Sequence, residues 1–190
     1  MRLANSMSIS ESAMNPAEFT GMRSNFFEPL WYAVYTNANH EKRVTQQLEQ
    51  RSIEHLLPLY ESVRRWKDRR VRLQMPLFPG YVFVRLALRN RVQLLQVPGV
   101  VQLVSFNGRP APLPEEDIQA IQDCMGRDRR AEPHPYLQAG RRMRVMRGPL
   151  LGLEGIILRR KNKTHFVLSF ELIMRSVAVE IDETDLAPAG

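Results

Sequence analysis

Between Tyr81 and Leu86 the chain alternates two kinds of side chain, with Tyr81, Phe83 and Arg85 on one face and Val82, Val84 and Leu86 on the other. A period of two predicts a strand with a buried aliphatic face and an aromatic face that needs a helix or a partner to cover it. Pro79-Gly80 just before it predicts a tight turn, because proline fixes φ and glycine is free to take φ > 0. Pro76 and Pro79 keep the lead-in out of a ladder interior, so the segment enters its sheet from an edge or bulge.

The pattern elsewhere predicts the neighbours of this strand. Residues 31–36, WYAVYT, have the β-branched and aromatic content of a strand. A helix follows, with Asn37 or Asn39 as its cap, Glu41 in its first turn and Val44 and Leu48 four apart on its buried face. Residues 54–66 read as an extended strand interrupted by Pro58, and residues 64–72 as a hairpin tip. A short helix over 90–97 is broken by Pro98-Gly99, and a strand over 100–106 runs into Asn107-Gly108, a strong hairpin-turn signal. Pro114 opens a further helix, Glu115, Glu116 and Asp117 complement its dipole, and Gly126 can end it. The order is β-α-β-β-α-β-α with mainly antiparallel pairing, an α+β architecture.

Residues 127–138 carry charges and prolines without an apolar period and read as a linker. Beyond them the character changes to short strands over 142–146, 155–158, 165–170 and 176–181. Phe166, Leu168 and Phe170 alternate with their neighbours, as do Val177, Val179 and Ile181, which predicts a small β-barrel with a thin core. Gly148-Pro149, Gly152 and Gly155 join its first two strands through a loop whose backbone can approach a partner closely. The expected organisation is a disordered extension over 1–29, a first domain over 30–126, the linker over 127–138 and a second domain over 139–190.

Composition removes several function classes. The 190 residues hold no apolar run of membrane-spanning length, and residues 1–30 lack the continuous apolar stretch of a secretory signal. The single cysteine, Cys124, excludes an internal disulfide and fits a reducing cytoplasm. Following Ile118 and Ile121 on a predicted helix, it reads as a packed thiol. His40, His55, His134 and His165 show no metal-ligand spacing, and no phosphate-binding glycine loop, nucleophile elbow or serine triad pattern is present. The sequence therefore points to a protein without catalytic residues, metal or cofactor.

Charge points instead to a polyanion. The formal net charge is +7, and residues 31–113 hold 13 Lys or Arg against 5 Asp or Glu. Such a basic body suits nucleic acid before an anionic membrane surface. Six bases fall within residues 64–72, and Trp66 sits among them. Bases interleaved with an aromatic suit phosphates plus a stacked base. The candidate nucleic-acid contacts are Lys42, Arg43 and Arg51 on the first helix, and Arg64, Arg65, Trp66, Lys67, Arg69, Arg70 and Arg72 at the hairpin tip.

With these parts in place, residues 31–187 resemble the NusG family of transcription elongation and antitermination factors. The resemblance rests on Trp31-Tyr32, Phe78-Pro79-Gly80-Tyr81-Val82-Phe83-Val84, Pro98-Gly99-Val100 and Arg109-Pro110-Ala111-Pro112. It continues in the KOW signature, Val145 through Leu150 with Gly152 and Gly155. It implies an NGN-type antiparallel sheet with flanking helices, followed by a small KOW β-barrel, in a monomeric protein with no membrane partner. It further implies docking on the β′ clamp helices of RNA polymerase through Tyr35, Tyr81, Phe83, Phe106 and Ile118, and contact with the β-subunit gate loop through Asn90 and Arg91. In the second domain Ile173, Met174 and Arg175 stand where relatives engage ribosomal protein NusE or Rho. The aromatic usual there is absent, which departs from the family pattern.

The strongly basic first domain resembles specialised, operon-recruited paralogues typified by RfaH, which read non-template DNA or nascent RNA. That likeness implies antitermination on particular operons. A general NusG coupling transcription to Rho or the ribosome, and a KOW-type ribosome-associated RNA-binding protein, are the other readings.

Overall fold

Strand β5 (Tyr81–Leu86) lies inside an antiparallel sheet, between β1 (Leu30–Thr36) and β2 (Glu54–Leu56), with β6 (Val100–Leu103) beyond β1. The computed structural model describes residues 26–65, 69–125, 131–137, 140–160 and 163–189. Ala33 faces Phe83 and Tyr35 faces Tyr81 across β1 and β5, so the two strands present the same alternation. On the aliphatic face, Tyr32, Val34, Val82 and Val84 form one apolar cluster. It includes Val44 and Leu48 of α1 (Glu41–Gln50) and Leu94 of α2 (Arg91–Leu95). On the aromatic face, Trp31, Ala33 and Phe83 are covered by Ile118, Ile121 and Cys124 of α3 (Glu115–Cys124).

Pro58 divides the 54–66 segment between two sheets. Strand β2 stays on β5, whereas β3 (Leu59–Arg65) turns away to pair with β4 (Arg70–Pro76) as a separate two-stranded hairpin. The segment over 100–106, expected as one strand, also divides. After β6, the Val104 N–H donates to Ala33 O, and β7 (Ser105–Phe106) pairs with β8 (Arg109–Pro110). Asn107 and Gly108 both take positive φ, 50° and 76°, as a two-residue turn between twisted strands requires. Strand β9 (Pro112–Leu113) then returns to β1, placing Leu113 opposite Trp31.

Helix α1 starts differently from expectation. His40 holds the cap position with no side-chain bond, while Asn39 takes φ 61° in the turn out of β1. The turn requires a left-handed residue, and asparagine tolerates it, so its side chain is used for geometry rather than capping.

The C-terminal part is a six-stranded antiparallel sheet in the order β10-β14-β13-β12-β11-β15. Its strands are β10 (Ala131–Pro135), β11 (Arg142–Val145), β12 (Glu154–Arg160), β13 (Lys163–Phe170), β14 (Arg175–Glu180) and β15 (Leu186–Pro188). Among the described residues the ladder is an open path from β10 to β15 and does not close into a barrel. The segment read as a linker contributes β10, which runs antiparallel to β14 with Pro133 opposite Val177 and Pro135 opposite Arg175. An edge position explains how a proline-bearing, charged segment joins a sheet, because its outer side needs no donors.

The two sheets share one core. Phe166, Leu168, Phe170, Val177 and Val179 belong to the same apolar cluster as Trp31, Phe83 and Ile118. Phe78 is the joint. Its ring meets Phe83 at 5.5 Å and 89°, and Phe170 of β13 at 5.5 Å and 87°, both edge-to-face. Among the described residues no helix is long and apolar enough to cross a membrane.

Candidate partner-binding surfaces

The turn that launches β5 is fastened from both sides. Gly80, at φ 84°, donates its N–H to Glu41 Oε1 at 2.7 Å and accepts the Thr36 N–H at 2.8 Å. A Cβ at Gly80 would sit 3.3 Å from Tyr35 Cε2, so the missing side chain lets the Tyr35 ring close over the turn. Glu41 lies in the first turn of α1 as expected, is buried at 4% exposure and locks the helix to this turn. The ring of Tyr35 then meets Tyr81 at 5.5 Å.

Of the five aromatic-face candidates, the structure leaves two in solvent. Tyr35 is 42% exposed and Phe106, at the tip of the β7–β8 hairpin, is 69% exposed. Tyr81 is half-buried. Phe83 and Ile118 are corrected to core residues, because α3 packs over the aromatic side of the sheet and buries both. The parity of Phe83 was right, but its cover, which includes Ile118, comes from within the chain.

Tyr81 has a second cover. The Arg175 guanidinium lies 5.8 Å from the centre of its ring, a cation–π contact between the two sheets. Ile173 is corrected to a core residue at 2% exposure, in the 3-10 turn Glu171–Ile173 that ends β13. Met174 takes the left-handed conformation after that turn and is 52% exposed. Residues assigned to two different surfaces by the family resemblance, Tyr81 and Arg175, therefore touch.

Asn90 and Arg91 are exposed at the start of α2. Beside them Arg89 stands 5.9 Å from the ring centre of Phe27, which packs edge-on against Phe26. Sequence reasoning placed these phenylalanines in the N-terminal extension, and only the adjacent aromatic pair hinted otherwise.

The basic candidates separate by face. In the hairpin Arg65 stands opposite Arg70, and Arg72 opposite Val63, so Arg65, Arg70 and Arg72 share one side. Arg64 points to the other side with Tyr60 and Leu73. Like charges directly opposite each other destabilise a strand pair, and the nearby Arg72–Glu61 contact, 3.7 Å and solvent-exposed, offsets little of it. Arg69 is exposed at the hairpin end, while Trp66 and Lys67 lie outside the described residues. Lys42 reaches across from α1 to donate to Gln74 O at 2.6 Å, tying the helix to the hairpin base. Arg43 is exposed on α1 and Arg51 just past its end, where it donates to Gln47 O at 3.1 Å. On α3, burial and the neighbouring Glu116 raise the Asp117 carboxyl above the usual aspartate range. Among the described residues no group of His, Cys, Asp and Glu is placed to hold a metal ion.

The family model described as "Transcription termination factor nusG" matches residues 29–122, which span the N-terminal sheet with α1, α2 and α3. The chain belongs to the NusG family. The Vibrio parahaemolyticus protein "Transcription termination/antitermination protein NusG" is 27% identical over 167 residues, covering 80% of this chain and 91% of that one. The protein of the same name from Halalkalibacterium halodurans is 25% identical over 178 residues, covering 84% and 98%. A solved structure titled "Domain interaction in Thermotoga maritima NusG" has the same fold, with a TM-score of 0.56, 19% identity and coverage of 86% of this chain. This chain is thus a NusG-like transcription factor, and its likeness to the curated relatives extends well beyond the matched domain.

Proposed function

We propose that this NusG-family protein binds RNA polymerase and keeps elongation processive, acting as an antiterminator on particular operons. Docking on the β′ clamp helices uses Tyr35, Phe106 and the half-buried Tyr81, with Asn90 and Arg91 towards the β gate loop. Phe83 and Ile118 support that surface from beneath. The C-terminal sheet serves as the KOW domain, and Arg175 with Met174 forms its edge for a ribosomal protein or Rho. The observation that supports the reading is the seating of Arg175 on Tyr81, by which the protein's own C-terminal sheet partly covers the proposed docking surface. The structure is on this reading a closed form, opened when polymerase competes for Tyr81.

The face shared by Arg65, Arg70 and Arg72 supports the operon-specific version, because a phosphate across opposed arginines relieves their repulsion. These side chains position non-template DNA or nascent RNA, and Trp66 stacks on an exposed base.

Polymerase pull-down, set against ribosome co-sedimentation, tests the docking reading. Tyr35→Ala with Phe106→Ala should lose polymerase binding, by about 2 kcal/mol or more if they are central anchors, in a protein whose circular dichroism is unchanged. Unchanged polymerase affinity in that folded variant rules out the assigned face, and retained ribosome binding in its place favours the ribosome-associated alternative.

A further inference from the structure

The segment that joins the two sheets is fastened to the second sheet in an unusual way. Strand β10 lies at the sheet edge, where its outer side has no strand partner, and contains two prolines among its five residues. Past Pro135 the fastening passes to a pair of hydroxyls. Ser176 Oγ accepts the Leu137 N–H at 3.2 Å, Ser169 Oγ donates to Leu137 O at 2.6 Å, and the two serine oxygens lie 2.8 Å apart. Ser176 is 1% exposed, so its hydroxyl is a built-in clamp for one linker residue.

The packing around this segment is open on both sides. A cleft of about 430 Å³ runs along β10, lined by Pro133, Pro135, Leu158 and His165, and the buried Nδ1 of His165 has no partner among the described residues. A second, of about 450 Å³, lies by Tyr136 and Leu137 over Ile156 and Ser169. The path ends at Gly140, where a Cβ would collide with Ile156 Cγ2, and at Arg141, whose carbonyl accepts the Ile157 N–H at 3.0 Å.

We infer that residues 131–137 form a releasable strap that sets how far the C-terminal sheet can travel from the N-terminal one. With the strap seated, only residues 126–130 separate Met125, the C-cap of α3, from the C-terminal sheet, a reach of about 20 Å at full extension. With the strap released the tether runs to Gly140, and the reach becomes about 55 Å. The local concentration of one sheet at the other falls roughly as the −3/2 power of tether length, so release raises the ratio of undocked to docked molecules about fivefold. The Ser169–Ser176 pair is the catch. This inference rests on the packing of the two sheets and not on the polymerase reading.

Hydrogen exchange on the full chain gives the first test. The amides of Glu132, His134 and Leu137 should exchange at least tenfold faster than the β13 amides bonded to β12, reporting local opening of the strap. The second test compares wild type, Ser169→Ala with Ser176→Ala, and Glu132→Pro. Dyes on Gln50→Cys and Arg147→Cys report docking by energy transfer, with the buried Cys124 left in place. Both variants should speed exchange of the strap alone and raise the undocked-to-docked ratio about fivefold. Strap amides as slow as those of β13, or failure of both variants to fold, would make the segment an integral strand and overturn the inference. A released strap with an unchanged docking ratio overturns it as well.

Discussion

The joint between the two sheets can be measured as a coupling energy. Phe78 makes edge-to-face contacts with Phe83 in its own sheet and Phe170 in the other, both at 5.5 Å. Replacing Phe78 by Leu keeps most of the apolar volume and removes both aromatic pairs, a loss of about 1–3 kcal/mol at about 0.5–1.5 kcal/mol each. Phe170→Leu removes one pair, about 0.5–1.5 kcal/mol. The double variant loses no aromatic pair beyond those already lost with Phe78→Leu. Its destabilisation should therefore fall short of the summed single effects by the worth of the Phe78–Phe170 pair, about 0.5–1.5 kcal/mol. Urea unfolding of the four proteins supplies the values, followed by far-UV circular dichroism for both sheets and by fluorescence for Trp31, which is buried at 5% exposure in the N-terminal sheet. Coincident transitions are required before the energies are compared. Additivity within about 0.3 kcal/mol, together with a C-terminal transition indifferent to Phe78→Leu, refutes the shared core.

Four further outcomes follow from three residues. Glu41→Ala orphans the buried Gly80 N–H and should destabilise the protein by about 1–3 kcal/mol in chemical denaturation, whereas Glu41→Gln keeps an acceptor and loses less. Tyr32 is fully buried with no hydroxyl partner among the described residues, so Tyr32→Phe should leave the thermal midpoint unchanged or raise it. The same burial raises the Tyr32 phenol above the usual tyrosine range, and its absorbance change on alkaline titration should come last among the tyrosines. Asp182 accepts from the Thr184 backbone N–H and hydroxyl, which lowers its carboxyl below the ordinary value. A lowered carboxyl stabilises the fold above its unfolded pKa and ceases to as pH falls through the folded one. Acid unfolding curves should consequently show Asp182→Ala less stable at neutral pH and converging with wild type in acid.

Strands with strict alternation were legible because parity alone assigns their faces. Tyr81 to Leu86 and Phe166 to Phe170 follow this rule, and Asn107-Gly108 declared its turn through the two positive φ values it had to supply. Strand β10 escaped notice for a physical reason. An edge strand needs hydrogen bonds on one side only, so prolines and charges that signal a linker are equally compatible with an edge. Helix α1 was legible, with Glu41 in its first turn, but the burial of Glu41 was not, because an acidic residue there satisfies the dipole argument in solvent or in the core. Only the approach of the Gly80 turn decides between them.

Parity also explains which candidate residues the fold leaves uncovered. It puts Tyr35, Tyr81 and Phe83 on one face, but a periodic pattern carries no information about which positions a later segment will cover. Helix α3 covers the centre of that face, at Phe83, and leaves the end, at Tyr35 and Tyr81, to be contested. Arg175 reaches that end from the second sheet. Its neighbour Ile173 is committed to the core, so that loop keeps Met174 and Arg175 as its exposed groups. A guanidinium over the Tyr81 ring occupies the face of that ring that another protein would use. Any partner of that loop and any partner of Tyr81 therefore draw on the same contact, and each should bind more tightly once the other has opened it.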